Sequence, residues 1–114
     1  MSTGPKSISD RRFTPRARVE ITSMMRAADQ KICGIVIDLT EQGMAVRSTE
    51  SLLSNSILDV WFSLPYSDHT IQCEGKVIWT DGMGRAGVQF IQLPEDTRRN
   101  LAEWLTQYAP KSGA

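Results

Sequence analysis

Apolar and polar residues alternate with a period of two along most of this chain, the pattern of strands that bury one face and wet the other. Ala17, Val19 and Ile21 alternate with Arg18, Glu20 and Thr22. The same rhythm returns in Cys33, Ile35, Ile37 and Leu39, in Met44 and Val46, and in Leu58, Val60, Phe62 and Leu64. It returns again in Ile71, Cys73, Val77 and Trp79, and in Ala86, Val88 and Phe90. Six strands are predicted. The separators Ala28-Asp29-Gln30, Glu41-Gln42-Gly43, Ser54-Asn55-Ser56, Pro65-Tyr66-Ser67-Asp68 and Asp81-Gly82-Met83-Gly84 are short and rich in turn formers, which suits antiparallel neighbours. Six short strands leave unpaired edges unless the sheet closes. The expected fold is therefore mainly β: a six-stranded antiparallel, Greek-key-like barrel.

After Pro94 the period lengthens. Leu101, Trp104, Leu105 and Tyr108 fall on one helical stripe, with Pro94 suited to the first turn and Glu95 and Asp96 complementing its positive end. A C-terminal α-helix that covers the barrel follows, with Arg98, Arg99 and Glu103 toward water. Residues 1–10 and 110–114 lack periodicity and are expected to be flexible tails around one domain spanning 11–109.

A chain of 114 residues can bury roughly two thirds of its unfolded surface, enough for a core without staples. Thirteen basic and thirteen acidic side chains cancel, which argues against a general coat for nucleic-acid polymers or anionic membranes. Charge is nonetheless uneven: Lys6, Arg11, Arg12, Arg16 and Arg18 face a single acid, Asp10, in the first eighteen residues. Any anion site is thus local. Cys33 and Cys73 sit in strand-like surroundings without metal-ligand spacing, and His69 is the sole histidine, so both cysteines read as small core residues rather than a disulfide or metal ligands. No apolar run reaches the length of a membrane span and the start lacks the apolar core of a signal peptide, so a cytoplasmic chain is expected.

Two stretches carry candidate chemistry. Arg11-Arg12-Phe13-Thr14-Pro15-Arg16 lies just before the first strand, and Pro15 pushes Thr14 away from helix. Guanidinium groups grip phosphate through a planar fork of donors and stack on purines, which lysine does not do; taken alone, the stretch also reads as a solvated basic tail. In the second, Asp38-Leu39-Thr40-Glu41-Gln42-Gly43, a strand runs directly into a carboxylate, a hydroxyl and a glycine on one tight turn. An aspartate accepts from the ring N–H and exocyclic amine of guanine. The plain alternative is a turn in which Asp38 and Thr40 bond their own backbone.

Together, Arg12-x-x-x-Arg16 and Asp38-x-Thr40-x-x-Gly43 resemble the paired RxxxR and (D/N)xSxxG motifs of the PilZ domain family of bacterial cyclic di-GMP receptors. Gly75-Lys76-Val77-Ile78-Trp79 and Gly87-Val88-Gln89-Phe90 are similar to that family's later strands, so the resemblance spans about residues 11 to 109. It implies that Arg11, Arg12 and Arg16 hold ligand phosphates and guanine edges or faces, while Asp38, Thr40 and Gly43 line the base. Arg11 implies an intercalated ligand pair. Thr40 departs from the family's serine, keeping the hydroxyl but adding a methyl.

Trp79 shares the face of Val77 and Cys73, which reads as core; the alternative is an aromatic wall beside the ligand. Trp61 is out of step with Val60 and Phe62 and reads as a helix contact or an exposed patch, and His69 reads as solvated. The lone histidine and scattered carboxylates assemble no catalytic set, so the expectation is a receptor that signals to a partner protein, without a cofactor, and not an enzyme. The rival is a PilZ-like adaptor that no longer binds nucleotide.

Overall fold

The alternating residues close the sheet on itself. In the structure, a computed structural model describing residues 16–108, the strands are β1 (Arg16–Ala27), β2 (Gln30–Thr40), β3 (Gly43–Ser48), β4 (Ile57–Ser63), β5 (Thr70–Thr80) and β6 (Arg85–Ile91). One helix, α1 (Glu95–Tyr108), follows. Every pairing is antiparallel and the order around the barrel is β1-β2-β3-β6-β5-β4, with β4 closing back onto β1. The segment from β3 to β4 crosses the barrel end, which is the Greek-key element, and its Leu52 is buried there. Closure leaves no strand edge among the six.

The core holds Met25, Val36, Leu39, Val46, Val60, Ile71 and Val77 from the strands, with Leu101, Trp104 and Leu105 from α1. The indole Nε1 of Trp104 donates to the Pro65 carbonyl at 2.9 Å, tying the helix to the loop between β4 and β5. Pro94 lies just outside the helix, where its carbonyl accepts the first helical bond from the Arg98 N–H at 2.8 Å. Tyr108, expected in the buried stripe, is instead exposed and packs beside Tyr66 and Trp104.

Two surplus residues, one in β2 and one in β5, interrupt the alternation. In β2 the inward positions are Ile32, Gly34 and Val36, not Cys33, Ile35 and Ile37. The ladder to β3 then skips from Val36↔Val46 to Asp38↔Ala45, and this bulge at Ile37 restores Leu39 to the core. A second bulge, at Ile78 in β5, separates Val77↔Val88 from Trp79↔Gly87. Val77 is fully buried, whereas Trp79 is 46% exposed; the core reading of Trp79 is corrected by this extra residue, which turns its side chain outward.

The core reading of Cys33 is corrected for the same reason: it occupies an outward position and is exposed, while Cys73 is half-buried, and no disulfide joins them. Burial, with a smaller contribution from Glu74, pushes the Cys73 thiol up to about 11. The thiolate is the reactive form, so near neutral pH a maleimide is expected to label Cys33 well before Cys73. Mass spectrometry of the partly labelled chain checks the order; equal rates at the two positions would contradict it.

Candidate functional site

The two bulges aim side chains into one groove on the outside of the barrel. Because the ladder breaks at Ile37, Asp38 and Thr40 both point away from the core while Leu39 between them is buried. Arg16 opens β1 opposite Thr40, and Asp38 lies two residues before Thr40 on β2, so Arg16 and Asp38 are diagonal neighbours. Their side chains meet, with Arg16 Nε 3.2 Å from Asp38 Oδ1. The distance is that of an ion pair, but the N–H does not aim at the oxygen. Buried Asp38 Oδ1 therefore receives no directed hydrogen bond among the described residues.

Thr40 shapes the turn that follows. Its Oγ1 accepts from the N–H of Gln42 at 3.1 Å and of Gly43 at 3.2 Å, and its hydroxyl lies 3.3 Å from the Gly43 carbonyl. The turn-forming reading thus holds for Thr40, while Asp38 pairs with Arg16 instead of its own backbone. The β-methyl of threonine leaves these bonds intact. Gly43 is explained by close approach rather than by a special backbone angle: it stands opposite Gln89 on β6, and a Cβ there would run into the Val88 carbonyl oxygen.

The groove these residues share has a volume of about 440 Å³. Its floor is nearly free of side chains, since Gly43 and Ala45 on β3 and Gly87 on β6 supply at most a methyl. Ile78 and Trp79 form one wall, with Trp79 lying so close over Gly87 that a Cβ there would strike the indole. Arg16 and Asp38 form the opposite wall, and Gln42 and Gln89 add amides at the lining. A flat ring fits such a floor, and the walls offer one aromatic face, one guanidinium and one buried acceptor.

Of the candidates read from the sequence, Arg16, Asp38, Thr40, Gly43 and Trp79 all line this groove. Arg11 and Arg12 lie outside the described residues, as do the two tails. Sequence reasoning missed Gln42, Ala45, Ile78, Gly87 and Gln89. A signal for the floor was present: Gly43, Ala45 and Gly87 are outward positions lacking a bulky side chain. Trp61, half-buried, faces a second groove of about 400 Å³ with Arg26, Asp59, Gln72, Cys73 and Glu74. His69 lines a small cleft beside Tyr66 and α1. No group of three His, Cys, Asp or Glu among the described residues could hold a metal ion, and no described helix is long and apolar enough to cross a membrane.

The β2–β3 turn is also held from outside. The Phe90 N–H donates to the Gln42 carbonyl at 2.8 Å. Arg98 of α1 reaches Glu41 with Nη1 at 3.4 Å while Nη2 holds Glu95 at 2.6 Å. The Arg98 guanidinium is held above its ordinary value, first by the hydrogen bond and charge of Glu95 and then, more weakly, by Glu41.

Solved structures share this architecture. An inhibitor of motility from Bacillus subtilis (MotI/DgrA) superposes with a TM-score of 0.71 at 14% identity, over 83% of this chain and 49% of that one. This chain spans about half the length of that protein. The PilZ domain of CeSA from a cellulose-synthesizing bacterium superposes with a TM-score of 0.63 at 16% identity, over 81% of this chain and 95% of that one. At such identities the likeness is one of fold. No curated protein matches the chain. The sequence profile of the PilZ domain, however, matches residues 10–107, nearly the whole chain and both motifs, and the chain belongs to the PilZ domain family.

Proposed function

We propose that the groove is a receptor site for cyclic di-GMP, and that the arginines preceding β1 close over the ligand while the Asp38–Gly43 turn reads a guanine. PilZ domains are in general non-catalytic receptors of this dinucleotide. The observation that carries the reading is Asp38 Oδ1, a buried acceptor lacking a directed donor among the described residues, at the wall of a groove with a flat floor. A guanine Watson–Crick edge supplies two N–H donors to such a carboxylate, and a buried acceptor left unmatched costs about 1–3 kcal/mol.

Arg16 serves phosphate in this reading. Its side chain is 61% exposed even while paired with Asp38, so its guanidinium can meet an incoming anion without leaving its partner. Arg11 and Arg12 precede it by five and four residues, a span of at most about 18 Å of extended chain, within reach of a ligand in the groove. Arg11 would engage the second member of an intercalated pair, and Trp79 would stack on a base. Closure of the arginine segment changes the surface beside β1, and this change is what a partner protein would read.

Titration calorimetry with cyclic di-GMP tests the proposal. Arg16→Ala and Asp38→Ala are each expected to weaken binding at least tenfold, about 1.4 kcal/mol, with the melting transition retained. A stoichiometry near two ligands per chain supports the pair. Unchanged affinity in both variants, or no binding by the native chain, would remove the receptor reading and leave the adaptor.

A further inference from the structure

The base-reading turn is not supported by the barrel alone. Thr40 ties it from within, the Phe90 N–H holds the Gln42 carbonyl from β6, and Glu41 at its tip is met by Arg98 from α1, fifty-seven residues later in the chain. Arg98 spans two acids with different nitrogens, Glu95 on its own helix and Glu41 on the turn. The fork geometry of a guanidinium permits both contacts at once, and the Glu95 bond restricts the side chain so that less freedom remains to be lost in reaching Glu41. The helix itself is fixed by the burial of Leu101, Trp104 and Leu105. A rigid element is thus bolted to the loop that would touch the ligand.

We infer that Arg98 is a positioning residue: through Glu41 it holds the Asp38–Gly43 turn in its ligand-ready shape, which makes α1 a structural part of the binding site. The inference rests on the reading of the groove as a cyclic di-GMP site for its ligand half only; the clamp on the turn is a property of the unliganded chain. Glu41 is the single acid on the turn beyond Asp38, and its side chain is 29% exposed, so the contact is partly shielded from water. Arg99, one residue on, pairs with Asp96 on its own helix at 3.6 Å and with no other acid among the described residues, and gives a matched control for loss of a helical arginine.

Hydrogen exchange on the full chain without ligand reads the clamp directly, at the Gln42 and Gly43 amides that donate to Thr40. Arg98→Gln and Glu41→Gln are each expected to speed exchange there by about two- to fivefold, the range open to a partly exposed ion pair, with the double variant no faster than either single one. Arg99→Gln should leave these amides unchanged. Affinity for cyclic di-GMP should fall by a similar factor in the same variants and not in Arg99→Gln. Exchange that rises no more in Arg98→Gln than in Arg99→Gln, or single effects that simply add, would overturn the inference. If the native chain binds no dinucleotide, the receptor reading and the ligand half fall together, and the exchange data still decide the clamp.

Discussion

Gly43→Ala is expected to lower the stability of the domain by about 1–3 kcal/mol, and valine at the same position by more. The added Cβ would collide with the carbonyl oxygen of Val88 and crowd the Cα of Gln89, both backbone atoms of the neighbouring strand. A flexible side chain could swing aside; a strand held in the barrel on both edges cannot. β6 is paired with β3 on one side and β5 on the other, so relieving the clash opens one of two ladders. For a domain of this size the loss corresponds to roughly 4–8 °C in Tm per kcal/mol. Chemical denaturation should show a lower midpoint with an unchanged slope, and an unchanged midpoint would contradict the clash. Because Gly43 also floors the groove, the proposed receptor role predicts that the variant binds cyclic di-GMP less well even under conditions where it stays folded.

Trp104→Ala should cost still more, about 3–5 kcal/mol, the range for emptying a buried aromatic site. Trp104 is only 6% exposed, its ring packs against Tyr108 at 4.8 Å between centroids, and its N–H satisfies the Pro65 carbonyl. Removing it opens a cavity under α1 and orphans that carbonyl. Trp104→Phe separates the two effects: the apolar bulk mostly remains, and the hydrogen bond alone, worth about 1 kcal/mol, is lost. Thermal melts of the two variants check the ranking. A phenylalanine variant as damaged as the alanine one would mean that the hydrogen bond, not packing, secures the helix.

The strands, the closure of the sheet and the helix were legible because alternation and turn chemistry are local properties of the chain. The pairing of Arg16 with Asp38 was not, since it depends on register between β1 and β2. Nor were the bulges at Ile37 and Ile78, and these decide the site. Plain alternation carried through β2 puts Cys33, Ile35 and Ile37 inward, and carried through β5 puts Trp79 into the core; each surplus residue reverses the phase, and nothing in its own side chain announces it. The motif residues Asp38, Thr40 and Gly43 were found by resemblance and spacing; Gly87 showed only as an outward position without a side chain, and Gln42 and Gln89 carry no local signal and gather only when β3 and β6 pair. Glu41 and Arg98 are unremarkable surface charges in sequence, and only the fold brings them together.

The groove draws on β1, β2, β3, β5 and β6, and β6, the last strand made, fits between β3 and β5. Until β6 is inserted there is no Gly87 beneath Trp79 and no Gln89 beside Gly43. A chain still emerging from the ribosome, or one truncated before residue 85, holds the Asp38 turn without the floor that faces it. The groove proposed as the receptor site is therefore complete only when β6 is in place, and a copy truncated before residue 85 lacks its Gly87 and Gln89 side.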